Sequence, residues 1–206
     1  MQDVKLLTPA QGEALVRYAR KIIESHFGAP KPEIPEILKE IFAENRGVFV
    51  TLSRYPGHEL RGCIGYPEPT LPLGLAVERA ALSSALEDPR FPRLKAYELD
   101  QVVVEVSVLT KPELIEVNNP REYPKKIKVG RDGLIVEQGF YRGLLLPQVP
   151  VEWGWDVEEF LAHTCMKAGL TPDQWLNPAT KLYRFTAQIF AEKEPHGEIE
   201  EKKLGG

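Results

Sequence analysis

Cysteine is scarce in this chain: 206 residues contain two, Cys63 and Cys165. Two thiols make no disulfide scaffold and fit a reducing compartment. Basic charge is not in excess either. Lys and Arg number 26 against 30 Asp and Glu, a formal net charge of -4. That balance argues against a nucleic-acid binder working through a broad basic surface and leaves room only for a local basic groove. No apolar run approaches the roughly 18 to 20 residues of a membrane span. The opening "MQDVKLLTPAQGE" lacks the apolar stretch of a signal peptide, so a cytoplasmic setting is the expectation. Histidine is thin as well: four residues, dispersed, which with two cysteines give no zinc ligand set, and the carboxylates form no DxD or HExxH pattern. "VGRDG" is too short for a dinucleotide fingerprint and opens a strand rather than a helix, so no phosphate loop is present. No internal repeat and no Pro/Ser-rich linker divides the chain.

What remains is the composition of a soluble globular protein, 43% hydrophobic and 27% charged. A Lys/Glu-heavy surface and 18 prolines hint at a thermophilic source. Thr8-Pro9-Ala10-Gln11 is a capping box with Pro at the first helical position, and Leu15, Ala19, Ile22, Ile23 and Phe27 line one face of the helix it opens. "GAPKPEIP" is a stiff connector to a short second helix carrying Ile37, Leu38, Ile41 and Phe42. "VFVTLS" and the run from Leu60 to Tyr66, joined by a Pro-Gly turn, predict an antiparallel pair. "GLAVERAALSSALED" reads as a helix whose Ala76, Ala80, Ala81, Ser84 and Ala85 allow close packing on a sheet. In "QVVVEVSVLT" the residues Val102, Val104, Val106 and Val108 alternate onto one face, with Glu105 and Ser107 on the other. "LIVEQ", a Gly139 turn and "LLLPQV" predict a hairpin. Asp156 to Glu159 is a second capping box, Thr171-Pro172-Asp173-Gln174 a third start of the same kind, and "KLYRFTAQIFAEK" a last strand. Strands joined by hairpins and mixed irregularly with helices predict an α+β fold with a mainly antiparallel sheet. Residues 1–193 read as a single domain, open to division into two sub-lobes, and 194–206 as a charged, mobile tail.

The segment "HELRGCIGYP" draws the chemistry. Strict alternation puts Leu60, Gly62 and Ile64 on the core face and Arg61, Cys63 and Gly65 on the other, toward a cleft or solvent. A guanidinium beside a thiol lowers its pKa, and Gly62 and Gly65 admit a close backbone or ligand, with Gly65 leaving open space beside the sulfur. The plainer alternatives are a small buried hydrophobe at Cys63 and a bulge at the glycines. Glu105 is placed to pair with Arg61 or act as a base if its strand neighbours that of Cys63; otherwise it and Ser107 lie on a solvated face. His58 reads as a surface turn residue. Cys165 belongs to a core stripe and His163 to another face of the same helix. Gln148 follows an apolar strand, where its amide can bind a ligand or a neighbouring backbone. Trp153 and Trp155 precede a helix start, which they either pack or turn into a pocket wall.

Taken together, "LRGCIG", "DPRFPRL", "VEVSVLT", "VGRDGLIVE", "LLLPQV", "GWDVEEFL" and "KAGL…W", in that order along nearly the whole chain, resemble the AMMECR family, in its stand-alone archaeal form. The resemblance implies an α+β domain of two lobes with a cleft near "LRGCIG". It brings Arg90, with Glu105, Ser107 and Gln148, into the candidate site as residues of matching motifs. Members occur fused to or beside Memo-like and radical-SAM domains, which implies a shared pathway. The family carries no settled activity or cofactor. Three functions stand open on these grounds. One is an enzyme or enzyme subunit with Cys63 as nucleophile, Arg61 as anion binder and Glu105 as proton acceptor. The second is a non-catalytic module that binds a small ligand or a protein partner. The third is a nucleic-acid regulator, which the charge disfavours.

Overall fold

The computed structural model describes residues 6–202. The elements in chain order begin with α1 (Pro9–His26), α2 (Lys39–Phe42), β1 (Val48–Arg54), β2 (Leu60–Tyr66), α3 (Leu73–Leu86) and β3 (Val102–Leu109). They continue with β4 (Glu113–Leu114), α4 (Tyr123–Lys126), β5 (Gly133–Gln138), β6 (Tyr141–Leu145), α5 (Gln148–Trp153), α6 (Val157–Lys167), β7 (Lys181–Phe185), β8 (Ala187–Glu192) and β9 (Ile199–Lys202). Two antiparallel sheets flanked by helices result, an α+β fold. The chain divides into two compact units, one comprising residues 6–109 and 188–202 and the other residues 110–187. Among the described residues, no helix is long and apolar enough to cross a membrane.

The first unit is built on a five-stranded sheet of order β2-β1-β3-β8-β9. Its core face carries Val48, Val50 and Leu52 of β1 and the four alternating valines of β3, all buried in one cluster with Leu15, Val16, Ala19, Ile22 and Ile23 of α1. Each buried Val, Leu or Ile of this cluster contributes about 1.5 to 3 kcal/mol through removal from water. The capping box that starts α1 is present: the Gln11 N–H donates to Thr8 Oγ1 and the Thr8 N–H to Gln11 Oε1. The small residues of α3 are buried as expected and bring its backbone onto the sheet. A buried cross-element ion pair also holds this unit. The Arg20 guanidinium, 5% exposed, meets the Glu192 carboxylate, 3% exposed, through two 2.5 Å contacts.

The second unit holds a four-stranded sheet, β4-β7-β5-β6, with its own core of Leu134, Val136, Leu182, Phe160, Leu161, Cys165 and neighbours. Asp156 caps α6, accepting from the N–H groups of Glu158 and Glu159, while Glu159 Oε2 accepts from the Asp156 N–H.

Four local expectations need correction. "KLYRFTAQIFAEK" is two strands, β7 in one sheet and β8 in the other, with Thr186 between them. "LLLPQV" leaves the hairpin at Leu145, and Gln148 opens α5, because Pro147 cannot donate to a ladder and is suited to a helix start. "TPDQ" nucleates only a 3₁₀ turn at Gln174–Leu176, which Asn177-Pro178 stops. The segment read as a mobile tail includes β9, hydrogen-bonded to β8; its run of glutamates is the charge an edge strand tolerates. Residues 203–206 of that segment lie outside the described residues.

Candidate functional site

Strand register assembles the site. Cys63 of β2 lies opposite Thr51 of β1, which in turn lies opposite Glu105 of β3. The next row of the same face is Gly65, Phe49 and Ser107. The face that alternation turns away from the valine core thus carries a thiol, a hydroxyl and a carboxylate across three strands. Thr51 Oγ1 donates to Cys63 Sγ at 3.3 Å.

Because β2 is a border strand, the backbone groups of Cys63 need partners outside the sheet. Side chains of "DPRFPRL" supply them. The Cys63 N–H donates to Asp88 Oδ2 at 2.9 Å, and the Cys63 carbonyl accepts from Arg90 Nη2 at 3.2 Å. Asp88 and Arg90 hold each other in turn, through Nε to Oδ1 at 2.9 Å and Nη2 to Oδ2 at 2.7 Å. The buried Asp88 carboxyl is held well below the usual carboxylate range, first by the Arg90 hydrogen bonds and then by the backbone N–H groups of Cys63 and Arg90. A depressed folded-state pKa stabilises the fold above the unfolded value near 4, and that stability is lost as pH falls through the folded value. Asp88→Asn is therefore expected to cost about 2 kcal/mol at pH 7, the scale of charged hydrogen bonds. In urea titrations the gap between variant and wild type should narrow as pH is lowered below about 4.

Burial pushes the Cys63 thiol above its ordinary range, with Glu105 and Asp88 adding to the rise. The Thr51 hydrogen bond and the Arg90 charge pull the other way without prevailing. The lowered pKa predicted for this thiol is thus not found. The guanidinium held responsible, Arg61, is elsewhere: it is 1% exposed and forms a paired contact with Glu98, Nε to Oε1 at 2.9 Å and Nη2 to Oε2 at 3.0 Å. Strict alternation fails at Arg61 because the register shifts there. Leu60 faces Ser53 and Gly62 faces Leu52, which leaves Arg61 without a cross-strand partner, as in a bulge. The cation beside the thiol is Arg90.

The two glycines are closed, not open. A Cβ on Gly62 would stand 2.0 Å from the Ser84 carbonyl oxygen of α3, so it is a backbone that approaches there. A Cβ on Gly65 would stand 2.4 Å from both the Phe49 ring and the Val48 carbonyl oxygen, so no space lies beside it. Glu105 pairs neither with Arg61 nor with the thiol; it accepts from Lys202 Nζ at 2.6 Å. Ser107 is buried opposite Phe49. Gln148 belongs to the second unit, where its Oε1 is buried without a hydrogen-bond partner. His58 sits in the β1–β2 turn in a left-handed conformation, edge-on to Tyr55. Cys165 is fully buried, its thiol pushed up to about 11 by burial. Among the described residues no three His, Cys, Asp or Glu gather to hold a metal.

Sequence reasoning missed Thr51, Asp88, Glu98 and Lys202. Two had a signal: pairing back from the Pro-Gly turn sets Thr51 opposite Cys63, and an Asp two residues before an Arg in a tight turn can grip it. Glu98 and Lys202 had none.

One unit on a five-stranded antiparallel sheet, with a half-buried thiol on its border strand, and a smaller unit on a four-stranded sheet define the class. The sequence profile of the AMMECR1 family matches residues 16–190. The chain belongs to that family. It is 62% identical over 201 residues to Protein MJ0810 of Methanocaldococcus jannaschii, covering 98% of this chain and all of that one. It is 60% identical over 197 residues to a protein of Thermococcus gammatolerans, covering 94% and 96% respectively. The crystal structure of the uncharacterised protein PH0010 from Pyrococcus horikoshii is similar at a TM-score of 0.82 and 58% identity, covering 96% of this chain and 99% of that one. These archaeal hosts fit the thermophilic hint in the composition.

Proposed function

We propose that this chain is a non-catalytic binding module, and that its recognition surface is the sheet face carrying Cys63, Thr51 and Glu105. The observation that carries the reading is the self-contained state of the charges around the thiol. Arg90 is spent on Asp88 and Glu105 on Lys202, and Arg61, farther along β2, on Glu98. A thiol nucleophile needs a base or a cation in excess to hold its thiolate; here the sulfur accepts from a threonine, which pulls its pKa down, but burial prevails and pushes it up. A neutral thiol and a hydroxyl side by side suit a polar, uncharged part of a ligand or partner. Arg61 acts as a buried brace on Glu98 at the bulge of β2 and Arg90 as a clamp at the border of the surface. Ser107 and Gly65 shape the adjoining row.

The test is the pH dependence of Cys63 alkylation by iodoacetamide, with Cys63→Ser to assign the signal. Modification is expected to be slow at pH 7 and to rise only above the ordinary thiol range near 8.5. Rapid modification below pH 7 would overturn the reading in favour of a thiol enzyme. In affinity capture, a partner held by wild type is expected to survive Cys63→Ser, which keeps a small polar group, and to be lost in Glu105→Lys.

A further inference from the structure

The corner between α5 and α6 leaves a feature that neither core requires. Gly154 ends α5 in the left-handed conformation, φ 67°, and the Trp155 N–H returns to the Pro150 carbonyl at 2.8 Å. Asp156 then caps α6 at once. This short reversal sets Trp153 and Trp155 on either side of one glycine. The Trp155 ring lies flat on His163, with centroids 3.8 Å apart and planes 2° apart. Trp153 stacks on Trp155 at 6.1 Å and 18°. Trp155 is half-buried and so packs the start of α6. Trp153 is 70% exposed, and Val151 beside it is 52% exposed. An indole left in water forgoes the burial energy that a core position would give it.

The segment that carries this stack has charge of one sign. From Gln148 to Ala162 there is no Lys or Arg, while Glu152, Asp156, Glu158 and Glu159 are all exposed. The nearest cation along α6 is Lys167, four residues beyond His163. An open indole face attracts cations through its quadrupole, and arginine stacks on such faces as a plane. Four carboxylates add attraction for a cation and repel phosphate, which turns the platform away from nucleic acid.

We propose that the Trp153–Trp155–His163 stack is a docking platform for an arginine-bearing basic segment of a partner protein, with a guanidinium on the Trp153 face and the neighbouring glutamates around it. It lies in the second unit and stands independently of the thiol-face reading. The test is calorimetric titration of the full chain with an acetylated, amidated hexa-arginine peptide. Saturable binding is expected, weakened about fivefold by Trp153→Ala, a change at an exposed side chain that leaves the core intact. Trp153→Phe is expected to recover part of the loss, since a ring remains, and Glu158→Gln to weaken binding through charge alone. Affinity unchanged by Trp153→Ala would overturn the proposal, because attraction by the carboxylates would then suffice. Absence of saturable binding would also overturn it. So would an oligothymidylate that bound with the same Trp153 dependence, which would make the stack a base platform.

Discussion

Gly62→Ala is expected to cost about 3 kcal/mol or more, enough to leave little folded protein near the wild-type melting temperature. The added methyl would stand 2.0 Å from the Ser84 carbonyl oxygen. That atom is main chain of α3, and α3 lies close because Ala76, Ala80, Ala81 and Ala85 are small and buried. Relief therefore requires moving a whole helix or the border strand, not a rotamer. Removing a glycine from the unfolded chain gains only about 0.4 to 1 kcal/mol where the backbone is compatible, so the clash prevails. Gly57→Ala is the control. Its Cβ would meet the Glu59 carboxylate, the far end of an exposed, flexible side chain. Its stability should stay within about 0.5 kcal/mol of wild type in urea unfolding. A Gly62→Ala protein as stable as that control would mean that α3 does not sit on β2 as described.

Arg20→Ala is expected to lose about 3 to 5 kcal/mol, the cost of removing one partner from a buried ion pair. Arg20 does more than meet Glu192. Its Nη2 donates to the Val102 carbonyl at 2.7 Å and its Nη1 to the Leu99 carbonyl at 3.1 Å. Glu192 Oε2 also accepts from the Val104 N–H at 2.9 Å. Without Arg20 the carboxylate is left in the interior with one remaining backbone donor, and two carbonyls lose a donor. The double variant Arg20→Met with Glu192→Met removes the stranded charge as well. It is expected to be more stable than Arg20→Ala, while still below wild type because the three backbone groups stay unpaired. Additive losses from the two sites would contradict a coupled pair.

Much of the fold was legible where the determinant is local. Thr8 and Gln11, or Asp156 and Glu159, satisfy helix ends within four residues, and the four valines of β3 declare a core face by alternation alone. The β1–β2 hairpin followed from its turn. Legibility ended where distant residues decide. Alternation predicted Arg61 beside Cys63, but a register shift of one residue and a carboxylate 37 positions away, Glu98, redirected it. Glu105 was rightly placed on the polar face, yet its partner comes from β9, in a stretch whose charge read as a tail. The strand-like run from Lys181 to Glu192, with no turn residue to divide it, gave no hint of serving two sheets, because a strand's pattern records burial and not which sheet provides it. Cys63 stood out, but the upward push on its thiol comes first from burial and then from Glu105 and Asp88, and a strand pattern displays neither the burial nor the approach of Asp88.

The Asp88–Arg90 clamp bears on how anything can approach this protein. A border strand normally offers an incoming chain a row of free N–H and C=O groups to pair with. At Cys63 both groups are already engaged by two side chains that imitate a neighbouring strand. Growth of the sheet by another chain, whether a partner's strand or a second copy, is blocked at that position. An approach to the thiol is left to groups that meet the sheet from its face.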